Sequence, residues 1–578
     1  MIFLPSIDVS GHGLLSTSFG VVACLGALYA LYRSLLPRPL PGIPYSQTSA
    51  RKLLGDAPDM LREVSVTREL NVWLVKQVNK LQAPLCQVFV EPFSKPWVLL
   101  ADPIEAYDIM TRRPEFDRSN FITDGLSPMD DFHARMKTGA QWRTTRAWLQ
   151  DLMSPTFLNN VVGPVMFDNS MNLIRFWETK ARLANGSAFD VNDDLDHSAL
   201  DGMLSFVFDR HFKQTALGPQ IEALSRTTPT SLAAGPKGEV RFPKAPVHEF
   251  ISALYETVDK IDVVTKAMSP RYAMWLIRQT PSYKRVTAVK RRVVREQIQG
   301  ALQRLEATND PRTAIEHMLV REKKASEKQN RKADFGNPIM MDEIAGQFIA
   351  GLHTTSTTLA WTFIYLTRFQ YVQNKLRDAL HQAYSDAYAE KRAPTLAELT
   401  GSRVPYLEAV LEETLRLHAT SVARQAKRDT EVLGHRIPKG TNIVMIANGP
   451  GFHAPAFDVE SARRSATAAK SKGWRETSDM RVFDPERWLV RKEGDTAAGV
   501  EFDANALPQI AFGMGPRSCW GRRMAYLELR LVVCLVVWNF DLLDVSPELA
   551  DPKASYGIVH RADQCHLRLR SRRTLRDV

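Results

Sequence analysis

The stretch Phe512-Gly513-Met514-Gly515-Pro516-Arg517-Ser518-Cys519-Trp520-Gly521 constrains this chain more than any other. Its glycines let the backbone turn tightly and approach a flat ligand closely, and Cys519 sits among them with Arg517 two residues before it. From Arg523 to Val532 apolar residues recur as on an amphipathic helix. The sulfur therefore sits just before a helix N-terminus, where the macrodipole favours a thiolate. Standing alone, the stretch also fits a free cysteine in a Gly-rich turn.

The 578 residues, 44% hydrophobic and 24% charged, have ordinary globular composition and need no staples. Neither an internal repeat nor a long linker follows the N-terminal region, so one large domain is expected over 47–578. The net charge of +11 is spread along the sequence and forms no nucleic-acid-like block; an acidic protein partner or an anionic membrane surface suits it better. The 5 cysteines lie at spacings that indicate neither a zinc site nor a disulfide framework.

Leu14 to Tyr32 carries no charge and, as a helix, reaches roughly 28 Å, close to the hydrocarbon thickness of a bilayer. A cleaved signal peptide is the competing reading, but the run is long for one and lacks a basic leading region. Residues 1–36 are expected to be a membrane anchor, with Arg33 and Arg38 keeping the remainder cytosolic. Residues 37–46, with Pro37, Pro39, Pro41 and Pro44, then form a stiff hinge.

Cys86–Val90 and Trp97–Ala101 predict a hairpin at the edge of a small sheet. Trp142 and Arg146 fall four apart on one helical face. Residues 161–320 are mostly helical in pattern, and the charged stretch from Glu322 to Asn337 predicts an exposed loop. A buried helix begins near Met341. On it Gly351, Thr354 and Thr355 share a face, giving a small cleft beside hydroxyl groups; the glycine costs about 1 kcal/mol relative to alanine, so something must compensate. The alternative is a Gly/Thr kink in a core helix. Further on, Glu413 and Arg416 meet at i, i+3, a spacing that usually marks a solvated pair. The Val459–Arg481 run predicts a surface insertion.

With Cys519 these elements resemble the cytochrome P-450 family, whose Phe-x-x-Gly-x-Arg-x-Cys-x-Gly pattern is matched at every defined position by Phe512, Gly515, Arg517, Cys519 and Gly521. The resemblance covers roughly 80–570 and implies a mainly α fold with small β-sheets, preceded here by the transmembrane helix. It implies haem b with Cys519 as axial iron ligand, Trp142, Arg146 and Arg424 towards its propionates, and Glu413, Arg416 and Arg487 as a network bracing the cysteine loop. Gly351 and Thr354 match the oxygen-binding helix. The family usually has a carboxylate before the threonine, where this chain has His353, either a proton relay of different pH preference or a buried histidine satisfied by a carbonyl.

The activity so implied is insertion of one oxygen atom from O2 into a lipophilic small molecule, in the manner of fungal secondary metabolism. Electrons would come from NADPH through a separate reductase, with cytochrome b5 as a further candidate donor, and nucleic acid is not an expected partner. Arg522, Arg523 and Arg143 are candidates for docking the reductase. The implied setting is the endoplasmic reticulum membrane, single-pass, with the catalytic domain in the cytosol. Alternatives are a reductase-independent haem-thiolate isomerase or dehydratase, and a non-catalytic membrane-anchored haem-binding protein.

Overall fold

The computed structural model describes residues 11–210, 212–267, 269–471, 473–474, 479–491, 500–550 and 552–572, with side chains from residue 21 onward. Helices dominate it. The longest, Pro338–Arg368, starts where the Asn337 side chain accepts from the Ile339 N–H, with Pro338 in the first turn. This central helix is buried on most of its circumference, as an all-round apolar sequence requires. It packs against Asn192–Val207 and against the helix that follows the cysteine, Arg522–Asn539. Leu531 to Asn539 is wholly buried there.

A second layer is a five-stranded sheet in the order Leu85–Val88, Trp97–Leu100, Asn442–Met445, Val422–Ala426, Phe116–Arg118. Leu85 pairs Leu100 in the expected hairpin. Only its first strand is an edge, because Asn442–Met445 runs parallel to Trp97–Leu100 and covers the other side. Both hairpin strands are buried because alternate residues enter two different apolar clusters: Leu85, Val98 and Leu100 enter one, and Cys86, Val88, Trp97 and Leu99 the other. A separate three-stranded sheet has the order Phe540–Leu543, His566–Ser571, Phe189–Asp190, and its first two strands contact the central helix.

Three expectations need revision or detail. The charged stretch after Glu322 is not all loop: the Ala314–Lys328 helix runs through its first half, started by a capping box between Thr313 and Glu316. Glu322 is buried because Trp148 Nε1 (3.0 Å) and Arg331 (2.6 Å) donate to it. Within the expected hinge, Leu40 and Ile43 are core residues, and the Gln87 side chain accepts from the Leu40 N–H (2.8 Å) and donates to the Leu40 and Ile43 carbonyls (2.9 and 2.8 Å). The insertion, described to residue 471 and at 473–474 and 479–481, folds back onto the Pro103–Thr111 helix instead of standing free.

Gly11–Leu35 is a helix. The first part of the expected span, Leu14 to Gly20, lies outside the residues with described side chains, and beyond it Val21, Val22, Leu25, Leu28, Tyr29 and Leu31 are exposed. Among the described residues no helix is long and apolar enough to cross a membrane.

Candidate active site

The cysteine loop is set by two close backbone approaches. Gly515 has φ 67°, and a Cβ there would lie 2.2 Å from the Met110 carbonyl oxygen, so only glycine fits against the end of the Pro103–Thr111 helix. The Cys519 N–H then donates to the Phe512 carbonyl (2.7 Å), folding the loop into a closed turn. Gly521 is the N-cap of Arg522–Asn539, so the sulfur stands just ahead of that helix, as expected. Cys519 is accessible, yet surrounding protein desolvates it and pushes its thiol pKa up; the Gly521 N–H and the charges of Arg146, Arg118 and Arg522 act in the opposite direction.

Cations crowd the same region. Trp142 and Arg146 lie on Ala140–Trp148. The Arg517 guanidinium covers the Trp142 ring at 4.6 Å and donates to the Met136 carbonyl at 2.5 Å. Arg146 lies 6.0 Å from the Trp142 centroid and 5.7 Å from that of Trp520. Arg424 is buried on Val422–Ala426, and directly opposite it in the antiparallel register stands Arg118. Like charges facing across a strand pair destabilise it. Burial, Arg517 and Arg424 push the Arg118 guanidinium down to about 9, and burial and Arg517 push that of Arg424 down to about 10. Asp117 is the carboxylate that opposes them.

Arg118 Nε, Arg424 Nη2 and Arg517 Nε are buried without a hydrogen-bond partner. Unpaired buried donors of one sign converging near a thiol fit a group that carries carboxylates beside a metal able to take sulfur. Arg118 escaped the sequence reading because its partner is some three hundred positions away; only the register exposes it.

On the central helix Ala350 and Thr354 are exposed and Gly351 and Thr358 half-buried, a strip of one i, i+4, i+8 face on a helix otherwise packed. The Thr354 hydroxyl donates to the Ala350 carbonyl at 2.7 Å. A Cβ on Gly351 would come within 2.6 Å of the Met203 side chain, so close packing on Asn192–Val207 offsets the cost of this glycine.

His353 faces Asp196 (Nδ1–Oδ1 3.1 Å), a nearly fully buried carboxylate that also accepts from Ser356 (2.5 Å) and Arg561 (2.7 Å), and Arg561 touches the imidazole as well. Burial would raise the Asp196 pKa, but His353, Arg561 and Ser356 outweigh it and hold it at about 2. The imidazole partner is thus a carboxylate, not a carbonyl.

The network beneath the loop is centred on Glu413. Arg416 donates to both its oxygens (2.8 and 2.7 Å), Trp488 Nε1 donates at 2.9 Å, the Asp484 N–H at 3.2 Å, and Arg487 Nε lies 3.6 Å away. Both Glu413 and Arg416 side chains are fully buried, and Arg416 also donates to the Phe452 (2.5 Å) and Met480 (2.8 Å) carbonyls. The i, i+3 pair is therefore no solvated surface pair. Its neighbour Glu412 accepts from Tyr526 on the helix behind Cys519 and from Gln509 (3.0 Å) ahead of the loop. Trp488 is the aromatic of the Pro485-Glu486-Arg487-Trp488 element that the family resemblance covers, whereas Glu412 and Tyr526 carry no sequence signal beyond their proximity to motif residues.

A helical fold that presents a cysteine at a helix N-terminus, near cations with unpartnered buried nitrogens, and packs that helix against a central helix with an accessible Thr strip, fits the haem-thiolate class. A sequence profile of cytochrome P-450 matches residues 65–451 and 478–565. Similar chains include the cytochrome P-450 monooxygenase xilC of Penicillium rubens, 42% identical over 553 residues and 95% of each chain. The cytochrome P-450 monooxygenase TRI13 of Fusarium sporotrichioides is 34% identical over 94% of this chain and 97% of its own. A cytochrome P-450 monooxygenase of the Hps1-dma1 cluster of Dothistroma septosporum is 38% identical over 45% of this chain and 86% of its own. The chain belongs to the cytochrome P-450 family, which implies haem iron, and it is a cytochrome P-450 monooxygenase, an oxidoreductase.

Proposed function

We propose that the enzyme inserts one oxygen atom from O2 into a lipophilic small molecule, by hydroxylation, epoxidation or further oxidation, in a fungal secondary-metabolite pathway. The observation that carries this reading is the accessible Ala350–Thr354 strip on an otherwise buried helix, in a chain where arginines with unpartnered buried nitrogens gather near the cysteine. The kinship to a monooxygenase over nearly the whole length, and over 45% of this chain to one named for a gene cluster, supports it.

Cys519 would hold haem b through iron, with Trp142, Arg146, Arg424, Arg517 and Arg118 as the cationic and aromatic partners of its propionates. Bound haem iron supplies dioxygen binding and oxidising power. The protein contributes the rest: Thr354 offers a hydroxyl that can be redirected from the Ala350 carbonyl, and His353, backed by Asp196, is the titratable group next to it on the helix. The Glu413, Arg416 and Arg487 network keeps the loop in place while the group is loaded.

Electrons would come from NADPH through a separate reductase, docked at the exposed Arg522, Arg523 and Arg143, with cytochrome b5 as a further candidate donor. A cytosol-facing domain on the endoplasmic reticulum membrane fits this partner. Two features support membrane attachment: the apolar Gly11–Leu35 helix, and the Pro270–Gln279 helix, which turns Tyr272, Trp275 and Leu276 to solvent.

Product formation from the isolated protein, NADPH and a reductase tests the reading. Turnover without reductase would indicate an isomerase or dehydratase, and binding without turnover a carrier. In Thr354→Ala, peroxide release per NADPH should rise at the expense of product, and unchanged coupling would remove Thr354 from oxygen activation.

A further inference from the structure

Asp102, Glu105 and Asp108 lie on one side of the Pro103–Thr111 helix, and all three carboxylates are buried. Asp102 and Asp108 draw partners from the 464–471 segment. Arg464 donates to both oxygens of Asp102 (2.6 and 2.7 Å). The Ser465 hydroxyl donates to Asp108 at 2.7 Å. Arg113 reaches Glu105 at 3.1 Å. In return Arg112, on the C-terminal side of the helix, donates to the Thr467 carbonyl (3.3 Å) and to Ser471 Oγ (3.2 Å). The segment 464–471 is thus tied along the whole length of this helix, with Arg464 itself almost completely buried beside Asp102. A buried bidentate pair is a rigid coupling.

The far end of the same helix is the seat of the cysteine loop. The Met110 carbonyl and Thr111 Cα are the atoms against which Gly515 is pressed. Ala106, Ile109 and Met110 share one apolar cluster with Ile510, Ala511 and Met514 of the loop. Any shift of the helix is therefore transmitted to the turn that carries Cys519.

We propose that the 464–471 segment, through Arg464 on Asp102 and Ser465 on Asp108, is a positioning element for the Cys519 loop and so for thiolate ligation of iron. The inference rests on the haem-thiolate reading but reaches residues about fifty positions from the cysteine. Asp102 is also the N-cap of its helix, accepting from the Glu105 N–H at 2.7 Å. Asp102→Asn keeps a capping side chain while removing the charge pair, so it separates positioning from helix formation.

The test compares haem-loaded wild type, Arg464→Ala, Arg464→Lys and Asp102→Asn. Amide hydrogen exchange of residues 512–518 should quicken several-fold in Arg464→Ala and Asp102→Asn, less in Arg464→Lys, with the global unfolding midpoint little changed. In the same samples the ferrous carbon monoxide adduct should lose its thiolate spectrum several-fold faster than wild type. Unchanged exchange in the loop overturns the proposal, as does thiolate loss that tracks global unfolding in every variant. Should Arg464→Ala fail to fold, Asp102→Asn and Arg464→Lys decide on the same readouts. A wild type that binds haem without a thiolate spectrum would overturn the haem-thiolate reading; loop exchange would still score the brace.

Discussion

Arg118 and Arg424 illustrate how a single pair of residues reports the chemistry of a site. Two guanidinium groups directly opposite in a sheet, each with an unpaired nitrogen, make a poor strand pair unless an anion joins them. Arg118→Gln or Arg424→Gln should weaken haem retention roughly ten-fold or more, the loss of one charge-assisted hydrogen bond, while the haem-free unfolding transition does not fall. Haem transfer to an acceptor protein and unfolding of the haem-free form measure the two effects. At Arg416 the balance is different, because its partner Glu413 would be left charged and fully buried. Arg416→Ala should cost about 3–5 kcal/mol and give little haem-loaded protein, read as the haem-to-protein ratio on purification. Cys519, Thr354 and Glu413 could be found in the sequence because their neighbours sit within a few positions on one loop or one helix face. Arg118 and Asp196 could not, since what makes each of them matter is a residue brought from another part of the chain.

Between elements, the contact of the central helix with the helix behind the cysteine contains a second buried acid. Glu528 is hydrogen bonded to Thr355, and burial pushes its pKa up to about 8, against an ordinary value of 4.5. A carboxyl whose pKa is raised in the folded state contributes stability that is full below its unfolded value and is lost as pH rises through the folded one. Unfolding midpoints should therefore decline between about pH 4.5 and 8 in wild type, and Glu528→Gln should flatten that decline and be the more stable protein at pH 9. Parallel pH profiles lying at a constant offset would remove Glu528 as the cause. The helices themselves were legible from apolar periodicity, but their starts were not: the central helix begins at Pro338, ahead of the expected Met341, and the Thr313–Glu316 box that starts its predecessor went unread. The misread stretch was 322–328, where charge was equated with exposure although its Glu322 serves a buried Trp. The hairpin was likewise legible as two strands, but not its place inside a sheet, because the strand that covers it comes 345 positions later in the register.

For the whole molecule, the N-terminal helix and the exposed aromatic face of Pro270–Gln279 set how the domain would meet a bilayer. Removing residues 1–36 should leave haem loading and the unfolding midpoint unchanged, because the described core begins at Leu40. Such a protein should still float with vesicles, less completely than the full chain, and lose that remainder on Trp275→Ser with Tyr272→Ser. Full flotation of the truncated double variant would sink both assignments. The Gln87 side chain, hydrogen bonded to Leu40 and Ile43, gives this arrangement a mechanical meaning. It ends the free tether near residue 39, so the slack between the end of the Gly11–Leu35 helix and the folded body is no more than roughly 14 Å. A leash that short permits tilting but little wandering: on the proposed membrane the sheet edge at Leu85–Val88 would stay beside the point where the chain leaves the lipid, and solutes dissolved in the bilayer would always meet the same side of the enzyme.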